Sequence, residues 1–229
     1  MNRMSHDVRT PINGIMGMLD IIRKNRQDEA KVDDCLDKIN LSASHLLALV
    51  NDVLDMNKLE SGKETIESAS FDLTHLMDDV ASLVNAQITE MGITHCTHRG
   101  ELTHTRLIGS PLRLRQIMLN LFSNAIKYNK PGGMIDTYAG EVSCDGTRVV
   151  YEFRITDSGI GMSSEFIEKE LFHPFTQEKS GARTQYKGTG LGMSIVKELI
   201  EKMQGTIEVT SQQGVGTTYV SVSYTHLRA

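Results

Sequence analysis

Pro111-Leu112-Arg113-Leu114-Arg115-Gln116-Ile117-Met118-Leu119-Asn120-Leu121-Phe122-Ser123-Asn124-Ala125-Ile126-Lys127-Tyr128 reads as one helix with two faces. Leu114, Ile117, Leu121, Ala125 and Tyr128 recur at three- and four-residue steps and form an apolar stripe. Arg113, Gln116, Asn120, Asn124 and Lys127 form a polar one. Pro111 suits the first turn, where its missing N–H is no loss. A solvated face is the ordinary meaning of a polar stripe. Yet Asn competes with its own backbone inside helices, and solvent faces favour Glu and Lys. Two Asn one turn apart, with Lys127 beyond, also suit a Mg²⁺–phosphate group. Amide oxygens ligate a hard cation without neutralising it, and such a cation keeps waters while bridging phosphates.

Downstream, Val149, Tyr151, Phe153 and Ile155 alternate as the inward face of a strand, and Asp157 has the same parity. A carboxylate is thereby set where the inward face ends, followed by Ser158-Gly159-Ile160-Gly161. Burying it is costly unless it is hydrogen-bonded. An adenine amino group is one partner, and glycines let a flat base approach the backbone. An Asp turn before Gly is the other reading. Lys187-Gly188-Thr189-Gly190-Leu191-Gly192 then opens a helix, where backbone N–H groups can converge on phosphate. It lacks the Gly-Lys-Ser/Thr ending of a P-loop and does not follow a strand as a dinucleotide fold requires. The stretch between, with Phe172, Pro174, Phe175, Gln177, Lys179 and Arg183, is expected to form a lid with cations for a terminal phosphate.

Upstream, residues 4–26 repeat Ile12, Ile15, Leu19 and Ile22 as a helical stripe. Leu36, Ile39, Ala43, Leu46, Val50 and Val53 make a second, widened by Leu47 and Leu54. Stripes this wide on a lone hairpin leave apolar surface in water, so a homodimer through residues 4–60, a four-helix bundle, is expected. Pro11 lies within the first pattern: either it kinks a helix that contains His6, or it starts the helix and leaves His6 on a leader. The expected domains are 1–62, all-α, and 63–224, an α+β two-layer sandwich with helices from Phe71 to Met91 and from Pro111. Strands are expected at 134–142, 148–156, 206–210 and 217–224, with short ones at 93–99 and 104–108. Residues 225–229 do not continue the last strand's alternation and are set apart as a tail.

Composition bounds the rest. The 229 residues carry a net charge of −5 and no basic run that would track nucleic acid. Cys35, Cys96 and Cys144 are scattered, which fits a reducing, cytoplasmic setting. No run approaches the roughly 20 apolar residues of a membrane span, so no membrane contact is expected here, although a parent chain could be membrane-anchored. His95, Cys96, His98 and His104 match no usual zinc spacing.

Taken together, the motifs resemble the transmitter core of a bacterial sensor histidine kinase over nearly all of the chain. Ser5-His6-Asp7-Val8-Arg9-Thr10-Pro11 is similar to the phosphoacceptor box, and Leu119–Tyr128 to the N box. Asp157–Gly161 and Gly188–Gly192 resemble the glycine boxes, Phe172-His173-Pro174-Phe175 the F box, and Gly214-Val215-Gly216-Thr217 the last glycine motif. The resemblance implies a dimerisation and phosphotransfer hairpin followed by a Bergerat-type ATP-binding domain. It implies that His6 accepts the γ-phosphoryl group of ATP, that Asp7 orients or deprotonates it, and that the phosphoryl group passes to an aspartate of a response regulator receiver domain. Thr10 matches a residue tied to phosphatase activity. It further implies Mg²⁺ on Asn124, assisted by Asn120, phosphate on Lys127, and adenine near Tyr128 and on Asp157. Gly159, Gly161, Phe175, Arg183, Lys187, Gly188, Thr189, Gly190, Leu191 and Gly192 would frame the nucleotide. Ser110 stands where many members carry an acid, Asn129 where Thr is frequent, and Asp7 where Glu is commoner. Two other readings stand beside it: an ATPase of the same fold without phosphohistidine, and a degenerate dimeric scaffold. Phosphohistidine detection separates the first and nucleotide binding the second.

Overall fold

The structure is a computed structural model that describes residues 2–60, 66–178 and 188–227, with the side chains of 2–7 and 60 outside that description. It divides into two compact units, Met1–Ser61 and Gly62–Ala229.

The first unit is a helical hairpin of α1 (Asn2–Lys24) and α2 (Glu29–Glu60). Asn25 closes the connection by donating its side-chain amide to the Ile21 carbonyl at 2.8 Å, and the Asp28 carboxylate accepts the Lys31 N–H at 3.1 Å as α2 begins. Helix α1 runs through Pro11, so the backbone of His6 is helical and not a leader. Pro11 is itself buried, in line with the half-buried Val8, Ile15, Met18 and Ile22.

The single stripe expected on α2 proves to be two. Cys35, Ile39, Ser42, Leu46, Leu49, Val53, Met56 run at alternating steps of four and three along the covered side; Leu59, a step of three beyond, is buried too. Leu36, Leu47, Val50 and Leu54 remain exposed, as do Ile12, Met16 and Leu19 on α1. Of the expected stripe, Ile39, Leu46 and Val53 therefore serve the hairpin, and Leu36, Leu47, Val50 and Leu54 face outward.

The second unit is a sheet with helices packed on it. In chain order its elements are β1 (Ala69–Asp72), α3 (Leu73–Glu90), β2 (Thr94–Arg99), β3 (Arg106–Gly109), α4 (Pro111–Lys127), β4 (Met134–Cys144), β5 (Arg148–Asp157), α5 (Ser164–Lys169), α6 (Gly192–Lys202), β6 (Thr206–Gln212) and β7 (Gly216–Leu227). The order in the sheet is β1-β3-β7-β5-β4-β2, with β6 also paired to β7. β2 runs parallel to β4, and the other pairs are antiparallel. The core lies between the inward residues of β5, Val149, Tyr151, Phe153 and Ile155, and the apolar faces of α3, α4 and α6.

Two sequence expectations are corrected and one element goes unread in the sequence. The helix expected from Phe71 starts two residues later, because Phe71 pairs with Leu107 in the sheet and Asp72 caps α3 through the N–H groups of Thr74 and His75. The short α5 carried too few apolar repeats to be read from sequence. Thr225, His226 and Leu227, set apart on their pattern, continue β7: Thr225 is buried opposite Val149, and Leu227 pairs with Leu107. The buried position is held by a polar Thr225, which masked the strand.

Candidate functional site

Helix α4 is fixed first at its start. Ser110, 1% exposed, accepts the Arg113 N–H at 3.4 Å, and Pro111 follows at the first helical position. An uncharged cap thus serves where an acid is common. Leu114, Ile117, Leu121 and Ala125 are buried as read, joined by Met118, Phe122 and Ile126. None of the five polar-stripe residues is fully exposed; Arg113, Gln116, Asn120, Asn124 and Lys127 are all half-buried, while Leu112 and Ser123 take the outward positions. The stripe is therefore partly covered and not a fully solvated face. Arg113 and Gln116 are tied to each other at 2.7 Å. Among the described residues the amides of Asn120 and Asn124 have no hydrogen-bond partner, so their oxygens stay available.

Asp157 ends β5 between Ile135 and Thr217 and is 5% exposed. Burial pushes its carboxyl up from 3.8 to about 6, against the pull of the Gly159 and Thr217 backbone N–H groups. Oδ1 accepts the Gly159 N–H at 2.8 Å. Gly159 has no room for a side chain, since a Cβ would run into the Tyr128 carbonyl and Asp157 Oδ1. The Ile160 N–H donates to that same Tyr128 carbonyl at 3.0 Å. Gly161, at φ +61, and Gly216, at φ +144, are likewise closed by backbone, of Gln212 and Asp157 respectively. Tyr219 lies close by: its hydroxyl is pushed up by burial first, then by Asp157 and Tyr128. Asp157 thus sits on a rigid shelf of close backbone approaches, which a plain Asp turn does not require.

The second glycine loop meets the other side of the end of α4. A Cβ on Gly188 would collide with the Lys127 ammonium, and Asn120 Oδ1 lies 3.8 Å from the Cβ position of Gly192. Lys127 Nζ also stands 4.8 Å from the centroid of the Tyr128 ring. Consecutive residues Lys127 and Tyr128 therefore join the two glycine loops. Gly190 adopts φ +70 and its carbonyl accepts the Phe175 N–H at 3.0 Å. Phe175 itself has φ +64, a left-handed backbone that a bulky residue adopts only under restraint. Gln177 donates to the Gly188 carbonyl. Thr189 Oγ1 accepts the Leu191 N–H at 3.2 Å, and Leu191 is fully buried at the start of α6. Leu191, the N-cap residue of that helix, makes no side-chain cap, and the first N–H groups carry the positive end of the helix dipole.

The structure thus brings Asn120, Asn124, Lys127, Tyr128, Asp157, Gly159, Gly161, Phe175, Gly188, Thr189, Gly190, Leu191 and Gly192 onto the second unit around the end of α4. Arg183 and Lys187 lie outside the described residues, as does Lys179. His6, Asp7 and Thr10 belong to α1 of the first unit. The side chains of His6 and Asp7 lie outside the description, and Thr10 is exposed four residues beyond His6.

Sequence reasoning passed over the supports. Asn129, 1% exposed, donates to the Met134 carbonyl at 3.0 Å and accepts from the Lys130 N–H at 3.0 Å and from Ser158 Oγ at 3.3 Å. It locks the end of α4 to the start of β4 and to the residue after Asp157. Ser211 Oγ accepts the Met162 N–H at 2.8 Å and donates to the Gly216 carbonyl. Glu178 accepts from the Ser163 N–H at 3.1 Å and from Gln213 at 3.0 Å. The signal for Asn129 was its place at a helix end just before Pro131 and two glycines; the other two carried none.

This arrangement can hold a purine against Asp157 and a polyphosphate along Lys127, the Gly188–Gly192 loop and the N-terminus of α6. The chain matches the model for histidine kinase-, DNA gyrase B- and HSP90-like ATPases over residues 109–227 and that for the His Kinase A phospho-acceptor domain over residues 1–62. It is 37% identical over 219 residues to hybrid signal transduction histidine kinase B of Dictyostelium discoideum, covering 96% of this chain and 11% of that one. It is 36% identical over 219 residues to the autoinducer 2 sensor kinase/phosphatase LuxQ of Vibrio harveyi, covering 95% of this chain and 25% of that one. Among solved structures, full-length ShkA in complex with AMPPNP superposes with a TM-score of 0.71 at 28% identity, over 98% of this chain and 45% of that one. The chain therefore spans between a tenth and a quarter of these curated relatives' length. It belongs to the histidine kinase-, DNA gyrase B- and HSP90-like ATPase family, joined to a His Kinase A hairpin as the transmitter core of a sensor histidine kinase.

Proposed function

We propose that the chain binds Mg-ATP on the α4 face, transfers the γ-phosphoryl group to His6, and passes it to an aspartate of a response regulator receiver domain. The observation that carries the reading is the meeting of both glycine loops at Lys127 and Tyr128, with buried Asp157 on one side and the free start of α6 on the other. Asp157 takes the adenine amino group on its carboxylate, and Gly159 and Gly161 let the base lie against the backbone. Lys127 and the N–H groups of residues 188–193 hold phosphate. The half-buried oxygens of Asn124 and Asn120 form a hard, uncharged donor pair that fits Mg²⁺ with waters completing its shell. Mg²⁺ supplies charge neutralisation on the phosphates when bound.

On the hairpin, one ring nitrogen of neutral His6 attacks the γ-phosphorus and ADP leaves. The proton on the other nitrogen passes to Asp7 or is held by it. An imidazole with an ordinary pKa near 6.5 is largely neutral at pH 7.5. Asp7 sits beside His6 in sequence and reaches it only in particular rotamers. Thr10, one turn beyond His6, serves the reverse reaction, removal of phosphate from the receiver aspartate; LuxQ is both kinase and phosphatase. The exposed residues Leu36, Leu47, Val50 and Leu54 pair two hairpins into a four-helix homodimer. Incubation with γ-labelled ATP tests the reading. Label on wild type should be acid-labile and alkali-stable, and His6→Gln should lose it while binding nucleotide normally. Label that persists in His6→Gln refutes the acceptor, and release of free phosphate without labelled protein identifies an ATPase.

A further inference from the structure

The strand that starts beside Asp157 ends in a second cluster of donor atoms. Glu141 and Cys144 are three residues apart, so on a regular strand they face opposite sides. β4 is not regular there. Glu141 pairs with Tyr151 and Ser143 with Val150, leaving Val142 as an extra, unpaired residue. Cys144 then falls opposite Val149, and Tyr151 and Val149 share one face of β5. The bulge therefore turns Glu141 and Cys144 to the same side.

His104 is fastened to that side by its own backbone. Glu141 Oε2 accepts the N–H groups of Thr103 and His104, each at 3.1 Å, and the Tyr151 hydroxyl donates to the His104 carbonyl. Glu141 Oε1 is left to face His104 Nδ1 at 2.9 Å. Cys144 is a free thiol whose sulfur accepts the Gly146 N–H at 3.3 Å. The His104 nitrogen, the Glu141 oxygen and the Cys144 sulfur all lie within 4.8 Å of one another.

We propose that His104, Glu141 and Cys144 bind a borderline-soft divalent cation, Zn²⁺ foremost, with water as the fourth ligand. One nitrogen, one carboxylate oxygen and one thiolate are the donors zinc takes, whereas Mg²⁺ and Ca²⁺ prefer oxygen alone. The site is thus chemically separate from the nucleotide's cation. Tetrahedral zinc bonds of about 2.0–2.3 Å put ligand atoms roughly 3.3–3.8 Å apart. Closing the cluster asks for a contraction of about 1 Å, which rotation of the exposed Cys144 supplies, and a small widening of the His104–Glu141 pair. The two backbone N–H groups on Oε2 are the hydrogen bonds that aim a ligating carboxylate. Binding moves the Nδ1 proton of His104 to Nε2 and releases the Cys144 thiol proton to solvent. One proton leaves per ion, and the dication with one carboxylate and one thiolate is neutral.

The test is titration of the reduced, magnesium-free full chain with Co²⁺, followed by Zn²⁺. Expected are one equivalent bound, the visible bands of four-coordinate cobalt, a near-ultraviolet thiolate-to-cobalt band, and displacement by Zn²⁺. Cys144→Ser should lose the thiolate band, while Cys35→Ser and Cys96→Ser keep it. Glu141→Gln, which can still accept from the backbone of residues 103–104, should weaken binding about tenfold or more. A missing thiolate band, or one that survives in Cys144→Ser, overturns the proposal and leaves Glu141 as a brace for the 103–104 loop.

Discussion

Asp157→Asn should make the protein more stable and bind nucleotide worse. The carboxyl is raised from 3.8 to about 6, chiefly by burial. At 1.36 kcal/mol per tenfold change in acidity, holding it ionised in the folded protein costs about 3 kcal/mol at pH 8. The sign follows from proton uptake. A raised Asp binds its proton more tightly when folded, so the cost is absent below about pH 4, grows between about 4 and 6, and is complete above that. Asn removes the charge and keeps an oxygen for the Gly159 N–H, but not the second acceptor for Thr217. A net gain of about 1–3 kcal/mol is expected at pH 8, or a rise in Tm of about 3–8 °C for a unit of this size. The same change replaces the acceptor for an adenine amino group with a competing donor, and affinity for a non-hydrolysable ATP analogue should fall about 100-fold. Thermal melts and calorimetric titrations of both proteins at pH 5 and pH 8 make the assay. The stability advantage should fall to about half at pH 5, midway between the unfolded and folded values, and vanish below about pH 4, and wild-type nucleotide affinity should itself rise through pH 6. An Asn variant less stable at pH 8, or an advantage that ignores pH, refutes the burial argument; unchanged affinity refutes the adenine assignment.

Other outcomes follow from the same geometry. Asn124→Asp puts a charge on a half-buried helix face; on the proposed Mg²⁺ role it should cut Mg-dependent autophosphorylation at least about 100-fold while leaving the melting curve within a few degrees. Gly161→Ala should cost about 2–4 kcal/mol by urea denaturation, because φ is +61 and the Gln212 carbonyl fills the Cβ position; Gly132→Ala, at φ +69 with open space, should cost only about 1 kcal/mol. Leu47→Glu with Leu54→Glu should leave the hairpin folded and raise the dimer dissociation constant at least about 100-fold in sedimentation, since each leucine loses about 1.5–3 kcal/mol of burial.

The nucleotide face was legible because its chemistry is local in sequence. Asn120, Asn124 and Lys127 lie on one helix, and each glycine box is contiguous. What the sequence withheld was which of two meanings each motif had. Burial decides for α4: five half-buried polar residues are not a solvated face. Backbone contact decides for Asp157, where the Tyr128 carbonyl closes in on Gly159. The supports stayed invisible because they act across distance. Asn129 matters through Met134 and Ser158, and Ser211 through Met162 and Gly216. The bulge at Val142 is the extreme case. It leaves no mark in composition or periodicity, yet it alone determines that Glu141 and Cys144 share a face.

The hairpin shows the opposite situation, a pattern too strong to be resolved. Heptad spacing in α2 announced one wide seam, but a single partner helix covers only part of a helix's circumference. Cys35, Leu49 and Leu59 are buried, while Leu47 at 62% exposure and Leu54 at 50% are not. Both lines obey the same three–four rule, so periodicity cannot tell which one α1 takes. The deciding factor lies on α1, where the buried Pro11 and half-buried Ile15, Met18 and Ile22 define one narrow side and leave Ile12, Met16 and Leu19 outside it. A hairpin with matching uncovered lines on both helices has the surface that a second copy supplies by symmetry. On the proposed dimer, the helix that carries His6 would contribute one line to the hairpin and one to the second copy. Repacking the outer line with alanine at Met16, Leu19 and Leu47 should therefore weaken dimerisation without unfolding the hairpin.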